Sequence, residues 1–166
     1  MKEILKKEPV QRVKNILKEF DNSLEVVVLD MSARTAKDAA ESLKTEVGSI
    51  VKSLLLRTKT SFLLCLISGD KRCSLNKIKK LLNQKDVSMA NAEQVKEITG
   101  FSIGGVSPIG HLNKIDIFID ESLKRFSNVF AAAGHPNCVF KISFEKLCKI
   151  TNGLIKDISE WEILNL

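Results

Sequence analysis

The side chains able to do chemistry in this chain are few and far apart. Lys52 lies in an apolar run, residues 50–56, whose period of two sets it beside Ile50, Leu54 and Leu56, with Val51, Ser53 and Leu55 on the other face. A lysine on an apolar strand face either carries its ammonium to an edge or serves an anionic ligand as a fixed charge. Ser107 has a nucleophile's hydroxyl, but no G-x-S-x-G elbow surrounds it and no activating base is marked. The competing reading is a hydroxyl that bonds its own turn. His111 and His135 stand beside glycine or proline in loop sequence, where a histidine either meets a ligand or is simply exposed. Asp120, at the end of an alternating run, either orients a loop or caps the segment 121–125.

The densest signal is the stretch Gly104-Gly105-Val106-Ser107-Pro108-Ile109-Gly110-His111. Glycine lets backbone N–H groups approach a ligand and permits positive φ, whereas Pro108 fixes its own φ and biases Ser107 to extended backbone. The stretch reads as a shaped loop whose main chain faces a ligand, or as a tight turn between core elements.

Composition narrows the field. The 166 residues suffice for one domain with a sizeable core, and 44% hydrophobic with 28% charged residues are ordinary globular values. No apolar run approaches a membrane span, and the mixed-charge N-terminus lacks the apolar centre of a secretory signal, so a cytoplasmic protein is expected. Four cysteines at no C-x-x-C spacing and two histidines argue for free thiols and against a metal site. There is no carboxylate pair, phosphate loop or dinucleotide fingerprint. Twenty-six basic against 20 acidic residues give a net charge of +6, with a basic cluster at residues 71–80. This favours a polyanionic partner, although most such runs are solvated helix faces. With one tryptophan, no tyrosine and phenylalanines in apolar patterns, no base-stacking platform stands out.

The elements that must position these residues follow from periodicity and caps. Pro9 opens a helix with Val10, Val13, Ile16, Leu17 and Phe20 on one face, and residues 24–29 read as a strand. Thr35 with Asp38 opens a short helix in a unit that Gly48 closes. Residues 50–56 and 62–67 form a hairpin with a longer loop. Ser74 caps a helix through Leu82 with Leu75, Ile78, Leu81 and Leu82 inward, and an extended piece follows at 87–89. Asn91 and Gln94 open a helix that Gly100 ends. Strands are expected at 114–119, 129–133 and 138–142, then a helix from Ser143 to Ile150 ended by Asn152-Gly153, and a tail at 154–166 with Trp161 docked. The order lacks strict βα alternation, which indicates an α+β class.

Taken in order, Ile50-Val51-Lys52-Ser53-Leu54 with its hairpin, residues 81–87, Thr99-Gly100-Phe101, the glycine loop, residues 117–120 and Ala132-Ala133-Gly134 resemble the bacterial YbaK/EbsC family. Its members are free-standing relatives of the editing insertion domain of prolyl-tRNA synthetase. The resemblance spans about residues 24–153 of a single domain covering 1–166. It implies an α+β fold with a mixed, partly barrel-like sheet and flanking helices. It also implies a deacylase of wrongly charged tRNA, chiefly proline tRNA carrying Cys, Ala, Ser or Thr. On that resemblance the family's lysine falls on Lys52, its loop on Gly104, Gly105, Ser107 and Pro108, its aspartate on Asp120 and its A-G turn on Ala133-Gly134, followed by His135. Gly110 joins the substrate-binding set. Ser53 stands where relatives often carry threonine, and residues 159–166 fit no family pattern.

The chemistry this suggests uses Lys52 as a fixed positive charge and the loop's N–H groups as donors to the ester oxyanion. A substrate hydroxyl or thiol takes the place of a general base. The expected partner is the acceptor end of aminoacyl-tRNA, with prolyl-tRNA synthetase as the protein partner, and neither cofactor, metal, membrane nor DNA. The alternative is a non-catalytic module that holds tRNA or a synthetase.

Overall fold

Local signals set the helices of the structure, a computed structural model that describes residues 3–30 and 35–162. Pro9 in the first turn opens α1 (Glu8–Phe20), whose Val10, Val13 and Leu17 are fully buried. Thr35, Ser74, Asn91 and Ser143 each accept a backbone N–H at the start of α2 (Ala36–Leu43), α3 (Leu75–Leu82), α4 (Ala92–Thr99) and α5 (Phe144–Thr151). Gln94 completes a reciprocal cap with Asn91. Each such cap contributes about 1 kcal/mol. Gly100 ends α4 at φ +81°.

Two expectations shift here. The unit begun by α2 ends at Lys44, which takes left-handed backbone, whereas Gly48 lies in the following 3₁₀ turn with the Phe126 ring where a Cβ would stand. Leu81 is exposed rather than inward, because Leu75, Ile78 and Leu82 define a narrow stripe on α3 and Leu81 falls on its flank.

The hairpin forms as expected. β2 (Val51–Arg57) and β3 (Phe62–Ser68) run antiparallel with Val51 opposite Ser68 and Arg57 opposite Phe62. The parallel neighbours β6 (Asp116–Asp120) and β9 (Leu154–Lys156) follow β3 on one side, and β5 (Ser88–Met89) pairs with β2 on the other. A second, antiparallel sheet has the order β1 (Val26–Val28), β8 (Cys138–Ser143), β7 (Asn128–His135). A parallel bridge from Ile50 to Phe130 joins the two. β4 (Lys71–Cys73) pairs with β10 (Ser159–Trp161). The class is α+β with mixed sheets and flanking helices. Among the described residues the sheets stay open, so the barrel-like element of the expectation is minor.

The C-terminal segment departs most from expectation. Up to residue 162 it is no tail: β9 extends the large sheet and β10 zips onto β4. Residues 163–166 lie outside the described residues. Trp161 is 60% exposed rather than docked in the core. The main core lies between α1, α5 and the faces of both sheets, while α3 and Ile158 cover the opposite face of the hairpin.

Candidate active site

The alternation of β2 places Lys52 as its spacing predicts. Leu54 and Leu56 pack with Cys65, Ile67 and Ile78, whereas Val51 and Leu55 enter the main core beneath α1. Lys52 shares the first of these faces, and its ammonium emerges at an edge. There Nζ donates to the carbonyl of Lys71 and lies 3.3 Å from Glu162 Oε1. The lysine side chain keeps 26% exposure.

That edge opens on a cavity of about 850 Å³. Its wall comes from residues 51–55 of β2, from Ala90 and Val95, from Ile103, Gly104 and Val106 of the loop, and from Phe130, Ala132, Pro136 and Val139. Ala36, Lys37 and Ala39 of α2 close one side, and Asp70, Trp161 and Glu162 are also on the lining. Lys52 and the glycine loop therefore share one chamber whose walls are mainly aliphatic. The polar groups on it are few. Asp70 accepts from both terminal nitrogens of Arg125, at 2.9 and 2.7 Å, and from Ser68 Oγ at 2.9 Å. Burial raises the Asp70 pKa, but the Arg125 and Ser68 bonds outweigh it and hold the carboxyl below its ordinary value. Ser53 Oγ is buried with no hydrogen-bond partner among the described residues.

The loop is held by backbone packing more than by its own turns. A Cβ on Gly105 would stand 3.0 Å from both N and Cα of His135, and one on Gly134 would stand 2.7 Å from the carbonyl of Pro9. The main chain at 134–135 is thus sandwiched between α1 and the loop with no side chain intervening. Gly104, at φ +92°, meets only Pro136 at 3.5 Å and needs glycine for its conformation. The Gly105 N–H is spent on Ser102 O at 2.9 Å; those of Gly104 and Val106 have no acceptor among the described residues.

Arg12 braces the loop from α1. Its Nε donates to Gly110 O at 2.5 Å, one terminal nitrogen reaches Gly100 O at 3.4 Å, and the guanidinium lies 4.7 Å from the Phe101 ring centroid. Glu8, one turn earlier, holds the other terminal nitrogen at 2.6 Å. His111 Nε2 donates to Ser107 O at 2.7 Å and meets Phe101 edge-on. Burial pushes the His111 pKa down; the Ser107 carbonyl opposes this and Arg12 adds to it.

The expected site residues accordingly divide. Lys52 and Gly104 line the cavity, with Gly105 immediately behind. Ser107 is fully buried, with Oγ accepting from Ile109 N at 3.4 Å, and Pro108 is buried beside it. Gly110 turns the chain at φ +81° and gives its carbonyl to Arg12. Gly134 serves the approach of α1, and His135 Nδ1 accepts from Asn137 N at 3.0 Å. Asp120 is completely buried: it accepts from Ile158 N at 2.9 Å, Ser159 Oγ at 2.7 Å, Ser122 N at 3.1 Å and the Ser122 hydroxyl. It caps the 3₁₀ turn Glu121–Arg125 and ties down the C-terminal segment.

Sequence reading missed Arg12, Asp70, Trp161 and Glu162. Glu8 and Arg12 at i,i+4 were visible as a pair, but nothing local marks that the arginine reaches a loop some hundred residues on. The basic cluster at 71–80 is also partly answered by the C-terminal segment, with Arg72 bonded to Glu160 at 2.9 Å and Lys77 to Asp157 at 2.8 Å.

Comparison with known proteins places this geometry. The family model of the aminoacyl-tRNA editing domain matches residues 30–150. A protein of Enterococcus faecalis named as a candidate Cys-tRNA(Pro)/Cys-tRNA(Cys) deacylase, EbsC, is 30% identical over 77% of this chain and 79% of its own length. The proline–tRNA ligase of Kosmotoga olearia is 38% identical over 57% of this chain, a match that spans 16% of the ligase. A crystal structure of a candidate trans-editing enzyme for prolyl-tRNA synthetase superposes with a TM-score of 0.87 at 37% identity, covering 93% of this chain and 98% of that one.

Proposed function

The chain belongs to the aminoacyl-tRNA editing domain family, and from that premise we propose how it acts as a trans-acting aminoacyl-tRNA deacylase. The observation that supports the mechanism is the meeting of the Lys52 ammonium and the 104–106 main chain on one apolar-walled cavity. The substrate is an amino acid esterified to the terminal ribose of tRNA. Water adds to the ester carbonyl, the bond from acyl carbon to ribose oxygen breaks, and that oxygen takes the proton. The products are a free amino acid and uncharged tRNA.

Each group has a task in that sequence. The N–H groups of Gly104 and Val106, unspent within the described residues, donate to the developing oxyanion. Gly105 supports the turn instead, its N–H being engaged by Ser102. Lys52 contributes a fixed positive charge whose direction is set by the Lys71 carbonyl, and its remaining protons face Glu162 or the substrate. Asp70 is locked to Arg125, so a substrate hydroxyl or thiol supplies the proton acceptor. The aliphatic wall selects small side chains such as Cys, Ala, Ser or Thr. A methylene is worth only about 1–3 kcal/mol in such a pocket, so several mischarged species are accepted. Proline tRNA is the chief carrier, prolyl-tRNA synthetase the protein partner and the cytoplasm the setting.

A deacylation panel tests this. Cys-, Ala-, Ser- and Thr-charged proline tRNA, with Pro-tRNA as control, are given catalytic amounts of wild type, Lys52→Ala and Glu162→Gln. Lys52→Ala should lower kcat/KM by roughly 10²–10³, the range seen on removing a transition-state donor, with unchanged circular dichroism. Glu162→Gln should keep turnover. Retained activity in Lys52→Ala overturns the role given to Lys52, and loss in Glu162→Gln makes that carboxylate the base. Binding of tRNA without any hydrolysis favours the non-catalytic module.

A further inference from the structure

The C-terminal strand brings to the cavity an aromatic side chain that the mechanism does not use. Trp161 ends β10, borders the same cavity as Lys52 and is 60% exposed, although tryptophan is on average a highly buried residue. It is not loose. Lys71, its register partner across β4, holds Nζ 4.5 Å from the indole centroid, and the Arg125 guanidinium lies 5.2 Å from it. Two cations thus fix the ring beside the cavity while most of its surface remains open. Arg125 is committed to Asp70, whereas Lys71 makes no ion pair among the described residues.

The substrate's covalent structure says what should lie there. All tRNAs end in 5′-CCA-3′, so the ribose carrying the ester also carries an adenine on its C1′ and a phosphodiester on its 5′ side. If the ester lies at Lys52 and the loop, the adenine must leave the apolar chamber toward its rim, where a flat aromatic face gains stacking energy and a nearby ammonium neutralises phosphate. We propose that Trp161 is the stacking platform for the 3′-terminal adenine, with Lys71 on the adjoining phosphodiester. The proposal rests on the deacylase reading for the position of the ester.

Trp161 is the sole tryptophan in a chain without tyrosine, so its emission reports directly on this ring. The full chain is titrated with the trinucleotide 5′-CCA-3′, with AMP and with ribose 5-phosphate. The expected result is saturable quenching by the trinucleotide, weaker quenching by AMP and none by ribose 5-phosphate, in wild type and Lys52→Ala alike. In kinetics on charged tRNA, Trp161→Ala should raise KM about tenfold with kcat little changed, within the range measured for loss of one base–aromatic stack. Trp161→Phe should recover most of it. No quenching by any base-bearing probe, or an unchanged KM in Trp161→Ala, overturns the proposal. Tighter binding of AMP than of the trinucleotide overturns it as well and makes the site one for a free nucleotide. Quenching without hydrolysis would sink the deacylase reading but not the stack, and hydrolysis without quenching would do the reverse.

Discussion

Gly134→Ala separates two tasks that sequence reading could not, since glycine there either contacts substrate or lets α1 approach. In the structure Gly134 has φ +90°, and an added Cβ would stand 2.7 Å from both C and O of Pro9 and 3.0 Å from Val10 N. Left-handed backbone costs a residue with a Cβ about 1–2 kcal/mol. Forcing a methyl against main chain in a packed interior costs about 1–3 kcal/mol more. The obstacle is backbone of a helix whose Val10, Val13 and Leu17 are fully buried, so relief by moving α1 disturbs the main core. The sum, about 2–5 kcal/mol, is a large share of the 5–15 kcal/mol that holds a typical domain folded.

Urea unfolding followed by circular dichroism should show the midpoint falling by that energy divided by the slope, with the slope itself unchanged. The melting temperature should drop by about 4–20 °C, at 2–4 °C per kcal/mol for a chain of this size. Well below that temperature the variant should still bind substrate, because Gly134 does not line the cavity. A variant of wild-type stability with a much raised KM would refute the packing argument and return Gly134 to the substrate.

Two further outcomes follow from the braces of the loop. Arg12→Met keeps the stem but removes the donors to Gly110 O and Gly100 O, and losing a charged hydrogen bond costs about 1.5–3 kcal/mol. Lower kcat should accompany that loss as the 104–110 main chain loosens, and a melting temperature equal to wild type would refute the brace. His111 carries a folded pKa below 6.5, mainly through burial, so the unfolded chain binds more protons in mild acid. Its contribution is therefore fully present above about pH 6.5 and drains as pH falls toward the folded value, which melts between pH 7.5 and 5 will register. His111→Asn should flatten part of that slope, His135 supplying a further part through its own burial and Lys7, and parallel curves for variant and wild type would exclude His111.

What the sequence disclosed was whatever its own neighbours determine. Thr35, Ser74, Asn91 and Ser143 cap helices because each cap is settled within a few residues, and the alternation of 50–56 put Lys52 on the correct face. The family pattern brought Lys52 and Gly104 together across some fifty residues, which periodicity alone does not. Arg12 stayed hidden because an arginine on an amphipathic helix has the same local signature whether it meets solvent or a loop. Glycine gave no sign of what fills the space of its missing Cβ, so Gly105 and Gly134 read as ligand contacts when each admits another backbone. β9 and β10 have three residues each, too few for a period, and they lie beyond the stretch that resembled the family.

Those short strands connect Asp120 to the site although it does not line the cavity. Asp120 accepts from Ile158 N and from Ser159 Oγ, the residue before β10 and the one that starts it. β10 then aligns with β4, setting Ser159 opposite Cys73 and Trp161 opposite Lys71. The Lys71 carbonyl accepts from Lys52 Nζ, and Glu162, just past the end of β10, lies 3.3 Å from that ammonium. The Lys71 carbonyl that directs Lys52 thus hangs on a ladder fastened at its far end by the buried Asp120 side chain. A buried carboxyl left without hydrogen-bond partners is costly, and two of the four donors around Asp120, Ile158 N and Ser159 Oγ, belong to the C-terminal segment, so that segment and Asp120 hold each other in place. Asp120 makes its hydrogen bonds within the fold and does not line the cavity, so its link to Lys52 runs through β10, β4 and the Lys71 carbonyl.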